Sequence, residues 1–178
     1  MKTITDALTS EHTLFCKLFD EIDRLLPDVI TVAEIRLLSR LVEGMLAQHA
    51  DVEQHLAFAA LDHALAEKGQ LKRLHQDHEE IDARLRDAAL ATEFTQAVRL
   101  LKAGLKASRE HFRREERMVF PLFEKLFDPA SLAALSAGDS GHASSLGTPG
   151  FANALRAQLP KTMGPTVPRD RMTTSAVS

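Results

Sequence analysis

The sequence predicts an all-α fold: an up-down-up-down antiparallel four-helix bundle over residues 1–136, with a disordered C-terminal tail over 137–178. Three observations carry that expectation. Apolar residues recur at alternating three- and four-residue steps between Leu8 and Leu122, which is the period of one helix face. The joins between these periodic segments are a few residues long, so consecutive helices can reach only antiparallel neighbours. From Gly138 the periodicity stops, and Gly, Ser, Thr and Pro take over in GDSGHASSLGTPG and PKTMGPTVPRDRMTTSAVS. That composition buries too little apolar surface to order a chain.

The first helix is expected from about Thr5 to Leu26 and stops at Pro27, because the residue before a proline is pushed out of the helical region. Thr31 opens the second, with Glu34 three positions on, a capping box. It continues to about Lys68, where Gly69 supplies the stop. The third helix spans about Leu71 to Leu90, and the fourth about Thr92 to Phe127, with Pro121 as a kink near its end. Asp128-Pro129 then starts a short helical turn, ASLAALSA. In the tail, FANALRAQL (151–159) is too short to be helical alone in water.

Composition excludes several classes. A chain of 178 residues with 44% hydrophobic content suits one domain with a sizeable core. A net charge of −3 provides no basic stripe for nucleic acid. No apolar run approaches the roughly eighteen residues of a membrane span. The start, MKTITDALTSEHTLF, is polar rather than a Lys/Arg-led apolar signal segment, so the cytoplasm is the expected location. Cys16 is the one cysteine, which rules out an intramolecular disulfide framework. With no Trp and no Tyr, redox chemistry has no aromatic radical partner.

The apolar stripes contain residues that do not belong in an ordinary core. The first runs Leu8, His12, Phe15, Phe19, Ile22, Leu26, and the second Ile35, Leu38, Val42, Met45, His49, Glu53, Leu56, Ala60. The third is Leu71, Leu74, His78, Ile81, Leu85, and the fourth Leu101, Gly104, Ser108, His111, Glu115, Met118, Leu122. At about 1.5 Å per residue, His12 lies roughly 21 Å before its helix ends and His49 roughly 26 Å after the next begins. On the same scale His78 lies about 18 Å before an end and His111 about 28 Å after a start. In an antiparallel bundle these distances run from one end, so the four histidines fall within about two turns of one level. Glu53 and Glu115 join them one turn along.

An ionised carboxylate in a core is costly unless it is paired or binds a metal. Pairing with histidinium ions is one way out; six such groups at one level make metal the better one. Imidazole nitrogen with carboxylate oxygen suits iron, manganese or zinc, and the absence of thiolates argues against an iron–sulfur cluster. The set is too large for one tetrahedral zinc and about right for two octahedral irons that leave a position open to an outside ligand.

The pattern H12 … H49-A-D-V-E53 … H78-E-E … H111-F-R-R-E115, followed by VFPLF, resembles the hemerythrin-like, or HHE cation-binding, family over roughly residues 5–127. The resemblance implies two helical hairpins, each giving a single His and then a His-x-x-x-Glu. It implies a non-haem di-iron centre, carboxylate- and oxo/hydroxo-bridged, with His12, His49, Glu53, His78, His111 and Glu115 as metal ligands and the two glutamates as bridges. The chain departs from the oxygen-carrying hemerythrins in two places. Leu74 stands where they carry a third-helix histidine, and Glu115 or Glu116 replaces their final aspartate. Fewer imidazoles on one iron disfavour reversible oxygen carriage and favour iron, peroxide or nitric-oxide handling.

The implied partner is a small diatomic or peroxide ligand in a pocket lined by Phe15, Leu56, Phe112 and Met118. An alternative is a catalase- or peroxidase-like enzyme at the same site, and another an iron or redox-stress sensor that contacts a protein through the tail. No residue is assigned a catalytic role. His75 is a seventh-ligand candidate with a solvent-facing alternative; His63 is roughly 21 Å too far along its helix. His55 reads as solvated, His142 lies in the tail, and Cys16 reads as a small buried filler. Arg113, Arg114 and Arg117 with Glu110 and Glu116 read as a solvated face. Glu79, Glu80 and Asp82 also read as mostly exposed, with orientation of a ligand from behind as the alternative for Asp82 at i+4.

Overall fold

The structure, a computed structural model, describes residues 2–64 and 71–139. The Gly69 stop and the tail from residue 140 onward lie outside the described residues. Among the described residues every regular element is helical, and they form an all-α bundle.

Helix α1 (Ile4–Leu25) starts on a capping box one residue earlier than expected: Thr3 accepts from the Asp6 amide, and Asp6 accepts from the Thr3 amide. A 3-10 turn, Leu26–Asp28, absorbs Pro27. Helix α2 (Val32–Val52) starts on the expected box of Thr31 and Glu34. It passes through a π-helical turn, Glu53–Phe58, into α3 (Ala59–Ala64). Helix α4 (Lys72–Leu90) follows, then α5 (Phe94–Arg114). A second π turn, Glu115–Val119, leads into α6 (Phe120–Leu126). Pro121 sits in the first turn of α6, where a proline's missing donor does no harm. The irregularity expected at Pro121 is therefore the π turn that precedes it. Helix α7 (Pro129–Asp139) completes the described chain, its first amides donating to Asp128.

Helix α4 packs on α5 and α2, α5 also meets α1, and α7 lies against α1. Gly104 allows the α4–α5 approach, since a Cβ there would lie 2.8 Å from Leu85 Cδ2. The core falls into two apolar clusters. One, with Phe15, Phe19, Val42, Leu46, Ile81, Leu101 and Phe112, lies on one side of the histidine level. The other, with Ile4, Leu8, Phe58, Leu61, Leu74, Phe120 and Phe123, lies on the other.

The π turns change which residues face inward. The Ala59 amide bonds back five residues to the Gln54 carbonyl, and the Phe120 amide bonds back five to that of Glu115. Each such turn takes up one extra residue, so the inward stripe slips by one position beyond it. The second stripe continues through Ala57 and Leu61 rather than Ala60, and the fourth through Val119 and Phe123 rather than Met118 and Leu122. Met118 is 59% exposed and does not line the site as expected. Among the described residues, no helix is long and apolar enough to cross a membrane.

Candidate metal centre

Each π turn begins at a glutamate of the expected site. Glu53 and Glu115 are fully buried at the start of their turns. His12 from α1 and His49 from α2 approach them from one side, and His78 from α4 and His111 from α5 from the other. Two groups result, His12–His49–Glu53–Glu115 and Glu53–His78–His111–Glu115, and in each the nitrogen and oxygen atoms lie within 4.8 Å of one another. The structure thus brings all six expected residues together and places both glutamates in both groups.

The glutamates divide their oxygens between the groups. Glu53 Oε1 lies 3.0 Å from His49 Nε2 and 3.6 Å from His12 Nε2, while its Oε2 lies 3.2 Å from His78 Nε2. Glu115 Oε2 lies 3.4 Å from His12 Nε2, while its Oε1 lies 3.2 Å from His111 Nε2. None of these four buried oxygens has a hydrogen-bond partner of regular geometry. The imidazoles also crowd one another: Nε2 to Nε2 is 3.1 Å between His12 and His49 and 2.7 Å between His78 and His111.

The outward nitrogens explain how two of the rings are held. His12 Nδ1 lies 3.0 Å from Glu116 Oε1, and His49 Nδ1 lies 2.7 Å from Glu11 Oε2. A carboxylate only accepts, so both Nδ1 atoms donate, and in a neutral ring Nε2 then carries a bare lone pair. Two lone pairs and carboxylate oxygens pointed at one another call for positive charge between them, supplied by metal ions or by protons. This donor set of nitrogen and oxygen fits iron, manganese or zinc.

Without an ion, protons supply that charge. Burial pushes the His49 imidazolium down, but the negative charge of Glu53 and the hydrogen bond to Glu11 outweigh it and raise its pKa to about 10. Burial likewise opposes charge on His111, and its close approach to the carboxylates of Glu115 and Glu53 raises it to about 9. Glu115 is raised to about 7, first by burial and then by the charge of Glu53. Burial also raises Glu53, but His49 and the other imidazoles hold it well below the usual carboxylate range. One carboxylate carries the charge while the other partly gives it up, as two close buried acids must.

Aromatic rings wall the cluster. Phe112 stacks on His12 at 4.1 Å between centroids, Phe120 lies at 5.5 Å, and Phe15 stands edge-on to His49 at 5.3 Å. Phe58 lies parallel to His78 at 6.1 Å. A cavity of about 20 Å³ opens beside His49, His78 and His111, with Leu46, Ile81 and Phe112 as apolar walls and Asp82 as a further polar one. Of the expected lining, Phe112 reaches this cavity. The side chain of Leu56 lies outside the described ones.

Several residues fall away from the cluster. His75 is half-buried, with its ring edge-on to Phe58 at 5.7 Å, and belongs to neither group. His55 is exposed and pairs with Asp51 at 3.1 Å. Cys16 is half-buried, and burial pushes its thiol up. The side chain of His63, and all of His142, lie outside the described residues.

The presumed solvated face is the main correction. Glu116 reaches His12, and Arg114 pairs with Asp77, which Arg73 also holds at 3.0 Å. Asp77 Oδ2 lies 3.6 Å from His111 Nδ1, beyond a hydrogen bond. The sequence assigns Glu11 and Asp77 no role and Glu116 to a solvated face, yet a signal exists: each sits immediately beside a site residue in sequence. Each serves a facing helix, Glu11 reaching His49 and Glu116 reaching His12, with Asp77 aimed at His111.

The family model described as hemerythrin HHE cation binding domain matches residues 3–123. No curated protein and no solved structure matches the chain.

Proposed function

This chain belongs to the hemerythrin HHE cation-binding family, and from that premise we propose that its buried cluster holds two iron ions and offers one of them to a small ligand. His12 and His49 would bind one ion and His78 and His111 the other, with Glu53 and Glu115 shared between them. The observation that carries this reading is the division of the carboxylates: each gives one oxygen to each histidine pair, and none of the four has a hydrogen-bond partner of regular geometry. A core that only paired carboxylates with histidinium ions has no need of oxygens shared in this way.

Two irons supply redox capacity and an open coordination position for dioxygen, nitric oxide or peroxide. The protein's own residues do the rest. Glu11 and Glu116 fix the tautomer and tilt of two rings. Phenylalanine rings wall His12 and His49, and the cavity at His49, His78 and His111 is small. A site of about 20 Å³ is little more than one water position, which suits a small ligand.

The test is the metal content and optical spectrum of protein from iron-supplemented cells, for wild type and Glu53→Ala/Glu115→Ala. Two irons per chain, with absorption bands lost in the double variant, are expected. One ion or none in the wild type, or a spectrum indifferent to both substitutions, overturns the two-iron reading. Zinc or manganese at full occupancy would keep the site and replace the metal.

A further inference from the structure

We infer that Asp82 makes the cavity beside His49, His78 and His111 selective for a protic ligand, hydrogen peroxide, over nitric oxide and dioxygen. The inference rests on the two-iron reading above and names the ligand class of that same site.

Asp82 lies one helical turn beyond His78 on α4 and is half-buried. It is the one ionisable lining residue of the cavity outside both metal-binding groups. Its helix neighbours do not neutralise it: Arg84 pairs with Glu80, and Arg86 with Glu43 at 3.7 Å. Among the described residues Asp82 makes no hydrogen bond or ion pair. The remaining walls are apolar side chains and the imidazoles already turned to the cluster.

An acceptor-only group facing an apolar cavity favours whatever occupant can donate to it. Nitric oxide and dioxygen have no proton to donate. An anion of similar size is repelled. Hydrogen peroxide has two O–H groups, so one oxygen can face the cation while the other end donates to the Asp82 carboxylate. The cavity is small, about 20 Å³, which favours hydrogen peroxide as the smallest member of its class. The role is one of positioning and selection, and no bond is broken in it.

The test compares iron-loaded wild type, Asp82→Ala and Asp82→Asn, with iron content and helical circular dichroism measured on each sample. Three probes are read optically: the rate of spectral change on mixing with hydrogen peroxide, the affinity for nitric oxide, and the affinity for fluoride as a small anion. Loss of one charge-assisted hydrogen bond should slow the peroxide response about 10- to 100-fold in Asp82→Ala while nitric oxide shifts by about twofold or less. Fluoride should bind several-fold more tightly in both variants once the carboxylate charge is gone. Asp82→Asn keeps the volume and one acceptor oxygen, so its peroxide response should lie between the other two. Three probes moving together indicate a structural role and overturn the inference, as does no change in any. If wild type holds no iron, the reading beneath falls as well; if iron is present and Asp82 is indifferent, only this inference falls. If Asp82→Ala does not fold, Asp82→Asn decides by the signs of the fluoride and peroxide changes.

Discussion

Behind His12 and His49 stand Glu116 and Glu11, each within hydrogen-bond range of an Nδ1 atom. Behind His111 stands Asp77, but at 3.6 Å and already held by Arg73 and Arg114. His12, His49 and His111 are almost fully buried, whereas His78 keeps 17% of its side chain exposed. A carboxylate behind a ligating imidazole fixes its tautomer and strengthens its donation to the metal. On the two-iron reading, the His12/His49 half therefore grips its ion more firmly, and a ligand arrives at the cavity that His78 and His111 share with His49. The two halves share their carboxylates and differ in what stands behind their imidazoles.

The largest expected effect removes the difference by removing what the halves share. Glu53→Ala should weaken both ions by more than the roughly 100-fold that an outer partner is worth. Metal analysis after dialysis against a chelator should then find neither half filled. Loss of only one ion would mean that the glutamate is not shared.

Glu11→Gln combined with Glu116→Gln should strip the first half of its advantage. About 10- to 100-fold faster loss of one ion of the pair is expected, with the other unchanged. Asp77→Asn should change retention of the second ion by less than about tenfold, because Asp77 does not reach His111 and is neutralised by arginines. Two-phase release kinetics would show both. Equal effects of the three substitutions would abolish the distinction between the halves.

Acidity sharpens the comparison further. Metal must displace the protons that His49 and His111 hold in the ion-free protein, so loading releases protons and tightens as pH rises. The gain levels off once pH passes the raised values of the two histidines, about 9 for His111 and about 10 for His49. Competitive chelator titrations at stepped pH would measure this gain in affinity and its levelling off. The ion-free fold moves the opposite way. Groups raised above their unfolded pKa stabilise it below that value and lose the contribution as pH climbs through the folded one. For both histidines that is the range from 6.5 to about 10 and about 9 respectively. Glu115, raised to about 7, adds to the same trend from 4.5 upward. The gap in Tm between loaded and ion-free protein should widen from pH 6.5 to 9.

The smallest effect lies outside the cluster. Gly104→Ala places a Cβ against Leu85, which must shift to make room. Overpacking of about 1–3 kcal/mol works against a helix-propensity gain of roughly 1 kcal/mol. A net loss of about 1 kcal/mol in urea unfolding is expected, with metal content unchanged. A variant as stable as wild type would show that Leu85 repacks freely.

Local periodicity was enough to place most of the fold. Backbone hydrogen bonds four residues apart force a stripe, so Leu8, His12, Phe15 and Phe19 had to share a face, and Thr31 with Glu34 announced a helix start within four residues of sequence. The same regularity aligned His12, His49, His78 and His111 at one level, because helix rise is constant and short loops reset the count at each end. Interactions between helices could not be read this way. Met118 and Ala60 were assigned inward because nothing in one helix's period announces the extra residue of a π turn at Glu115 or Glu53. Glu11, Asp77 and Glu116 were missed because each answers to a ring on another helix. Which carboxylate reaches which imidazole depends on the rotation and spacing of packed helices. The helices and the level of the site follow from the chain itself; the sharing of two carboxylates, the unequal support of the two halves and the cavity at Asp82 exist only once the helices are packed together.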